Sequence, residues 1–201
     1  LVNGSVPSSY LVNAYDGSYD GNYEMYISKF TSYNNIVLGT YVGGNNDDDL
    51  NDLQLLSDGS LVFSGYTSSS TGSFPGLVNS AGSSNTNQDG VVGVIPPTGG
   101  TFSMLSRIGG NNVDQFNGLT IGAGDTIYLT GFTESSNYPL GHDSSSLNRF
   151  RATSIGGDDA IVGKIPKDGK SGASAVDPWM ATYFGGTNDD RGNTIRTYAQ
   201  N

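Results

Sequence analysis

The sequence predicts an all-β fold, an array of four-stranded antiparallel sheets, and three observations predict it. First, the chain repeats itself. The stretch GGNNDDDLNDLQLLSDGSLVFSGYT at 43–67 aligns without a gap with GGNNVDQFNGLTIGAGDTIYLTGFT at 109–133, and a third copy, GGTNDDRGNTIRTYAQN, starts at Gly185. Self-similarity at a fixed period marks a chain built from stacked equivalent units. Second, each copy carries short runs rich in β-branched and aromatic residues, bounded by Gly, Asn and Asp, and no window holds a 3.6-residue apolar period over three turns. Third, the 201 residues include 30 Gly and only 14% charged residues, the profile of a turn-rich β protein.

Taken in order, the strands of the first copy are expected at Glu24–Phe30, Ile36–Val42, Asn51–Leu56 and Ser60–Thr67. Those of the second are expected at Asp89–Ile95, Thr101–Ile108, Asn117–Ile121 and Thr126–Thr133, and those of the third at Asp159–Ile165, Met180–Phe184 and Asn193–Tyr198. Ser57-Asp58-Gly59 and Ala123-Gly124-Asp125 lie at matching places between third and fourth strands, and Pro97-Thr98-Gly99-Gly100 and Lys167-Asp168-Gly169 between first and second. Such Asp/Gly pairs supply the positive φ of tight hairpins, so the four strands of a copy read as one antiparallel meander. The longer polar segments Ser68–Gln88 and Glu134–Gly157 read as joints that cross between units and cover a surface. The expected division is therefore a joint from a preceding repeat at 1–22, a first blade at 23–76, a joint and second blade at 77–141, and a joint and incomplete third blade at 142–201.

Four-stranded antiparallel units repeated along a chain are what a β-propeller needs, each blade packing its faces on its neighbours. Leu61-Val62-Phe63 is apolar on consecutive residues, as expected where both faces of a sheet are covered. The expectation is a β-propeller-like array of about two full blades and part of a third, incomplete as given. Completion falls to further blades of a longer chain or to other copies, or else the repeats stack openly, and the absence of an initiator Met points to a processed or excised segment.

Composition excludes several functions. A net charge of −10 repels phosphate backbones and anionic lipid, so neither nucleic acid nor a membrane surface is expected as partner, and no apolar run approaches the roughly 20 residues that span a bilayer, so no membrane insertion is expected. No Cys is present, which removes disulfides and thiolate metal sites. His142 is the only His, and no nucleophile elbow or metal-type His pair occurs, so no catalytic residue is assigned and no enzyme is expected.

Several residues recur at fixed places. Gly43-Gly44, Gly109-Gly110 and Gly185-Gly186 read as turn or bulge glycines, since no phosphate-binding pattern follows them. Asp48, Asp114 and Asp190 recur, with Asn51, Asn117 and Asn193 always three residues later. Asp and Asn there bond neighbouring backbone N–H groups and cap the turn after Gly-Gly. The sharper alternative is a hard cation such as Ca²⁺, which takes six to eight oxygen ligands, held by Asp47, Asp48, Asp114, Asp189 and Asp190. Asp47 to Asp52 echoes a calcium-binding loop, but Asp52 stands where that loop needs Gly. Gly65 and Gly131 recur in the last strand, and Asn3-Gly4-Ser5 is a formal N-glycosylation acceptor at Asn3.

One series of motifs resembles a known family. Asp159-Ala160-Ile161-Val162-Gly163-Lys164-Ile165, then Thr182-Tyr183-Phe184-Gly185-Gly186-Thr187-Asn188-Asp189-Asp190, is similar to the bacterial SBBP-type β-propeller repeat. Thr40-Tyr41-Val42-Gly43-Gly44-Asn45-Asn46-Asp47-Asp48 and Thr126-Ile127-Tyr128-Leu129-Thr130-Gly131-Phe132-Thr133-Glu134-Ser135 carry the same resemblance. Three departures stand out: Arg107-Ile108 replaces the Thr-Tyr-like pair, Val113 replaces an Asp, and Glu24 stands where Asp89 and Asp159 stand. The resemblance implies a secreted or surface-exposed propeller segment of a large multidomain protein, with no shared enzymatic activity. The expected function is a non-enzymatic extracellular structural or adhesive module that assembles with other copies into a filament or surface layer. The alternatives are a ligand-binding propeller, for glycans or Ca²⁺-dependent adhesion, and behind it a glycan hydrolase or lyase.

Overall fold

The computed structural model describes residues 2–70, 72–75, 87–141, 150–170 and 179–198. Ten strands form: β1 (Met25–Phe30), β2 (Ile36–Val42), β3 (Asp48–Leu55), β4 (Leu61–Thr67), β5 (Asp89–Ile95), β6 (Met104–Ile108), β7 (Asp114–Ile121), β8 (Ile127–Thr133), β9 (Asp159–Ile165) and β10 (Met180–Phe184). They build three antiparallel sheets: β1-β2, then β3-β4-β5-β6, then β7-β8-β9-β10. The chain is all-β with antiparallel four-stranded sheets, as expected. The predicted turns fall where hairpins close, with Gly59, Gly124 and Gly169 at positive φ.

The phase of the sheets corrects the expected division. A four-stranded sheet is not one copy of the repeat: it takes the third and fourth strands of one copy and the first and second of the next. The boundaries at 23–76, 77–141 and 142–201 therefore cut through sheets. The joints are corrected with them. Ser68–Gln88 connects β4 to its neighbour β5, and Glu134–Gly157 connects β8 to β9, so both join strands of one sheet rather than crossing between units; residues 71, 76–86 and 142–149 lie outside the described residues. Where described, such segments run back along an outer strand: Val12 and Asp16 bridge Gly39 and Tyr41 of β2, and Gly141 bridges Met180 of β10. The crossing between sheets is made by the short Gly-Gly segments, 43–47 and 109–113. Loop length misled because a five-residue link looks like a hairpin; here the link passes from one sheet to the next.

The layers follow from strand alternation, successive side chains pointing to opposite faces. Leu61 and Phe63 of β4, with Val91 and Ile95 of β5, pack on Met25, Ile27, Leu38 and Val42 of the first sheet. Val62, Val92 and Val94 point the other way, onto Phe116, Leu129, Ile161 and Trp179 of the last sheet and its loop. The middle sheet is thus covered on both faces, which explains its consecutive apolar residues. Asn193–Tyr198, expected as a strand, has no regular structure: among the described residues no neighbouring strand completes its hydrogen-bond ladder.

Candidate functional site

The repeated polar residues converge at the crossings between sheets. Asp48 opens β3 and is fully buried. Its Oδ2 accepts from the Gly44 N–H at 2.8 Å and the Ser69 hydroxyl at 2.8 Å, and its Oδ1 accepts from the Thr67 hydroxyl. One crossing later Asp114 repeats the set, accepting from the Gly110 N–H at 2.6 Å, the Ser135 hydroxyl at 3.0 Å and the Thr133 hydroxyl. At the third crossing the Gly186 N–H donates to Asp190 at 2.6 Å. The same serines tie down the loop: the Asn46 N–H donates to Ser69 Oγ at 3.0 Å, and the Asn112 N–H to Ser135 Oγ at 2.8 Å.

A second acid faces each of these. Glu24, Asp89 and Asp159, at the starts of β1, β5 and β9, are fully buried. A Cβ added at Gly185 would lie 2.7 Å from Asp159 Oδ1 and 2.9 Å from Asp190 Oδ2. Gly109 is likewise clamped between Asp89 and Asp114, and Gly43 between Glu24 and Asp48. The first glycine of each pair is small because two carboxyl groups close over it. Glu24 Oε2, Asp89 Oδ1 and Asp159 Oδ1 accept no hydrogen bond from the protein. Burial pushes Glu24 up to about 7 and Asp114 up to about 6. Burial also raises Asp89, to about 6, against the pull of the Arg107 guanidinium.

Arg107 distinguishes the middle crossing. Its Nε donates to Asp89 Oδ2 at 2.5 Å and its Nη1 to the Ser69 carbonyl at 2.6 Å, in an ion pair 1% and 0% exposed. The other copies place Tyr41 and Tyr183 there, two residues before the Gly-Gly pair. The Tyr183 hydroxyl donates to the Ser135 carbonyl at 3.0 Å, the counterpart of the Ser69 carbonyl that Arg107 reaches. The departure noted at Arg107 thus keeps one hydrogen bond of the tyrosine and adds a cation.

No family model matches this chain, and no curated protein matches it.

The remaining recurrent residues have plain positions. Asn51 and Asn117 are the extra residues of two β-bulges, between Leu50 and Asp52 and between Phe116 and Gly118. A bulge re-aims its side chain, and these reach across to the next layer: Asn51 Nδ2 donates to the Phe116 carbonyl at 2.7 Å and Asn117 Nδ2 to the Gly192 carbonyl at 2.9 Å. Gly65 and Gly131 lie opposite the bulges, where a Cβ would collide with the carbonyl oxygens of Asp49 and Gln115. Asn193 is exposed on the irregular terminal segment, and Asn3 is exposed near Tyr19. Asp189 is exposed, its Oδ1 accepting from the Asp158 N–H at 3.2 Å. His142 lies outside the described residues. No helix among the described residues is long and apolar enough to cross a membrane.

Sequence reasoning missed Thr67, Ser69, Thr133 and Ser135, although Thr-x-Ser recurs at the end of β4 and of β8. It also missed the first-strand acids as partners of the second, because 23 residues lie between Glu24 and Asp48 and 24 between Asp89 and Asp114. Chemically the arrangement is a lock. The carboxyl groups of Asp48 and Asp114 are each engaged by one backbone N–H and two hydroxyl donors, which ties the Gly-Gly link to the strand end beside it. Among the described residues no three of Asp, Glu and His gather around one point.

Proposed function

We propose that this chain is a non-enzymatic structural or adhesive module, a segment of a β-propeller-like array that works outside the cell. The carrying observation is that one carboxylate lock is built at Asp48, again with the same donors at Asp114, and in part at Asp190. An asymmetric reaction centre needs a group that occurs once; these groups recur and are spent on pinning the link between sheets to the strand ends it enters. The resemblance to the SBBP-type repeat supports the extracellular setting, and the layered sheets support assembly with further sheets of the same kind. The test pairs stability with turnover. Wild type and the Asp48→Asn and Asp114→Asn variants are melted and assayed on a broad glycan panel. Both variants should melt lower and no protein should turn over. Glycan cleavage lost in one variant at unchanged Tm would overturn the reading.

A second reading, Ca²⁺-dependent adhesion, is favoured by Asp47 alone. Its Oδ1 is buried without a protein partner, beside a polar cleft formed with Asn3, Tyr19, Asn22 and Tyr23. One carboxylate with amide and carbonyl oxygens is a sparse but chemically suitable start for a hard cation. Calorimetric Ca²⁺ titration should give heat that Asp47→Asn removes; a flat titration of the wild type removes this reading.

A further inference from the structure

We infer that the free face of β7–β10, with residues 190–198, is a docking surface for three further antiparallel strands carrying this chain's own repeat pattern. The inference rests on the stacked-sheet reading above and adds the place, the register and the chemistry of the next layer. Position by position, this face is the counterpart of one already buried. Val92, Val94 and Ile108 of the middle sheet are 0%, 2% and 0% exposed beneath β7–β10. Their equivalents in the last sheet are Val162, Lys164 and Phe184, and Val162 and Phe184 are 37% and 56% exposed. Leaving such large apolar side chains open on one face of a sheet is unfavourable in water.

The first strand of such a layer is already in position. Residues 190–198 follow Gly185-Gly186 as β7 follows Gly109-Gly110. They sit on β7 as β7 sits on β3: Asn117 holds the Gly192 carbonyl as Asn51 holds that of Phe116. The Thr197 hydroxyl donates to the Ile121 carbonyl at 2.9 Å, and the Gly192 N–H to the Gly131 carbonyl at 3.0 Å. Ile195, at the register of Leu119, is only half-buried. The segment therefore lies where an inner strand lies and lacks the ladder that would make it one. The occupant is specified by the interface already present. It is a three-stranded sheet presenting the side chains that Ile127, Leu129, Ile161, Ile165 and Ala181 present to the middle sheet.

The experiment completes the layer in register. Residues 126–184 are duplicated after Asn201, and in a second protein residues 60–108 are placed there instead; both begin where the repeat resumes. Hydrogen exchange is followed in the parent and both fusions. The amides of 193–198 should exchange at least ~100-fold more slowly in a fusion than in the parent, as amides do when recruited into a sheet. Val162→Asp should abolish that protection in the fusion while leaving the exchange of β4 and β5 in the parent unchanged. Unprotected 193–198 in both fusions, with β4, β5, β8 and β9 protected, overturns the docking surface alone. A parent that dimerises with 193–198 already protected also overturns it, since a second copy is then the occupant. Unprotected β4, β5, β8 and β9 in the parent removes the stacked-sheet reading and this inference with it.

Discussion

Arg107 and Asp89 form a buried charge pair inside a repeated framework that elsewhere uses tyrosine. Breaking a buried pair strands the remaining charge, at a cost of about 3–5 kcal/mol. Arg107→Ala should therefore lower the unfolding free energy by that amount. Arg107→Tyr should cost less, because a tyrosine hydroxyl reaches the equivalent carbonyl from Tyr183 and packing is kept, although Asp89 loses its cation in both variants. Urea titrations of the two variants make the comparison; equal losses would mean that the cation itself, not its packing and hydrogen bond, is required. The acids set a pH dependence of unusual sign. Glu24 is raised to about 7, and Asp89 and Asp114 to about 6, each chiefly by burial. The folded protein thus binds protons that the unfolded chain, with ordinary carboxyl groups, has already released. The stabilisation is complete below the unfolded values and is lost as pH rises through the folded ones. Protonation also removes the charge from groups in which Glu24 Oε2 and Asp89 Oδ1 have no hydrogen-bond partner. Tm should fall from about pH 5 to about pH 8, and Glu24→Gln should flatten the upper part of that fall; a Tm that climbs over this range would refute the assignment.

At the scale of the elements, the bulges in β3 and β7 direct one side chain per sheet across to the next layer. Asn51→Ala should cost about 1 kcal/mol, the net worth of one hydrogen bond. Asn51→Asp should cost more, since it sets a carboxylate against the Phe116 carbonyl. Chemical denaturation gives both values, and an Asp variant as stable as wild type would show that the contact carries no weight. The bulges also mark where sequence reading stopped. Ile36–Val42, Asp89–Ile95, Asp159–Ile165 and Met180–Phe184 are legible to the residue, because apolar alternation and flanking turns fix a strand locally. Which strands share a sheet is not, because pairing is a long-range property: β4 and β5 pair across 21 intervening residues while β2 and β3, five apart, do not pair. The carboxyl pair at each crossing was hidden likewise, since its two members come from different sheets.

At the scale of the molecule, the middle sheet belongs to both apolar clusters, so the layers are coupled through its two faces. Trp179 is the only tryptophan and is fully buried, its ring 5.7 Å from Phe116 in an edge contact. Its fluorescence reports the interface between the middle and last sheets. Phe116→Ala should cost about 3–5 kcal/mol, as large-to-small changes of buried aromatics do. It should move the fluorescence and far-UV circular dichroism transitions together; transitions that separate would show the sheets melting independently.

The two-strand offset between repeat and sheet has an evolutionary consequence. Because every copy is shared by two neighbours, a gene duplication one period long need not respect any boundary. Wherever the breakpoints fall, the inserted segment contributes the strands that one additional layer requires, and the flanking layers are left whole. Lengthening of such an array is therefore tolerant of imprecise recombination, whereas excision of less than a full period leaves an unpartnered edge.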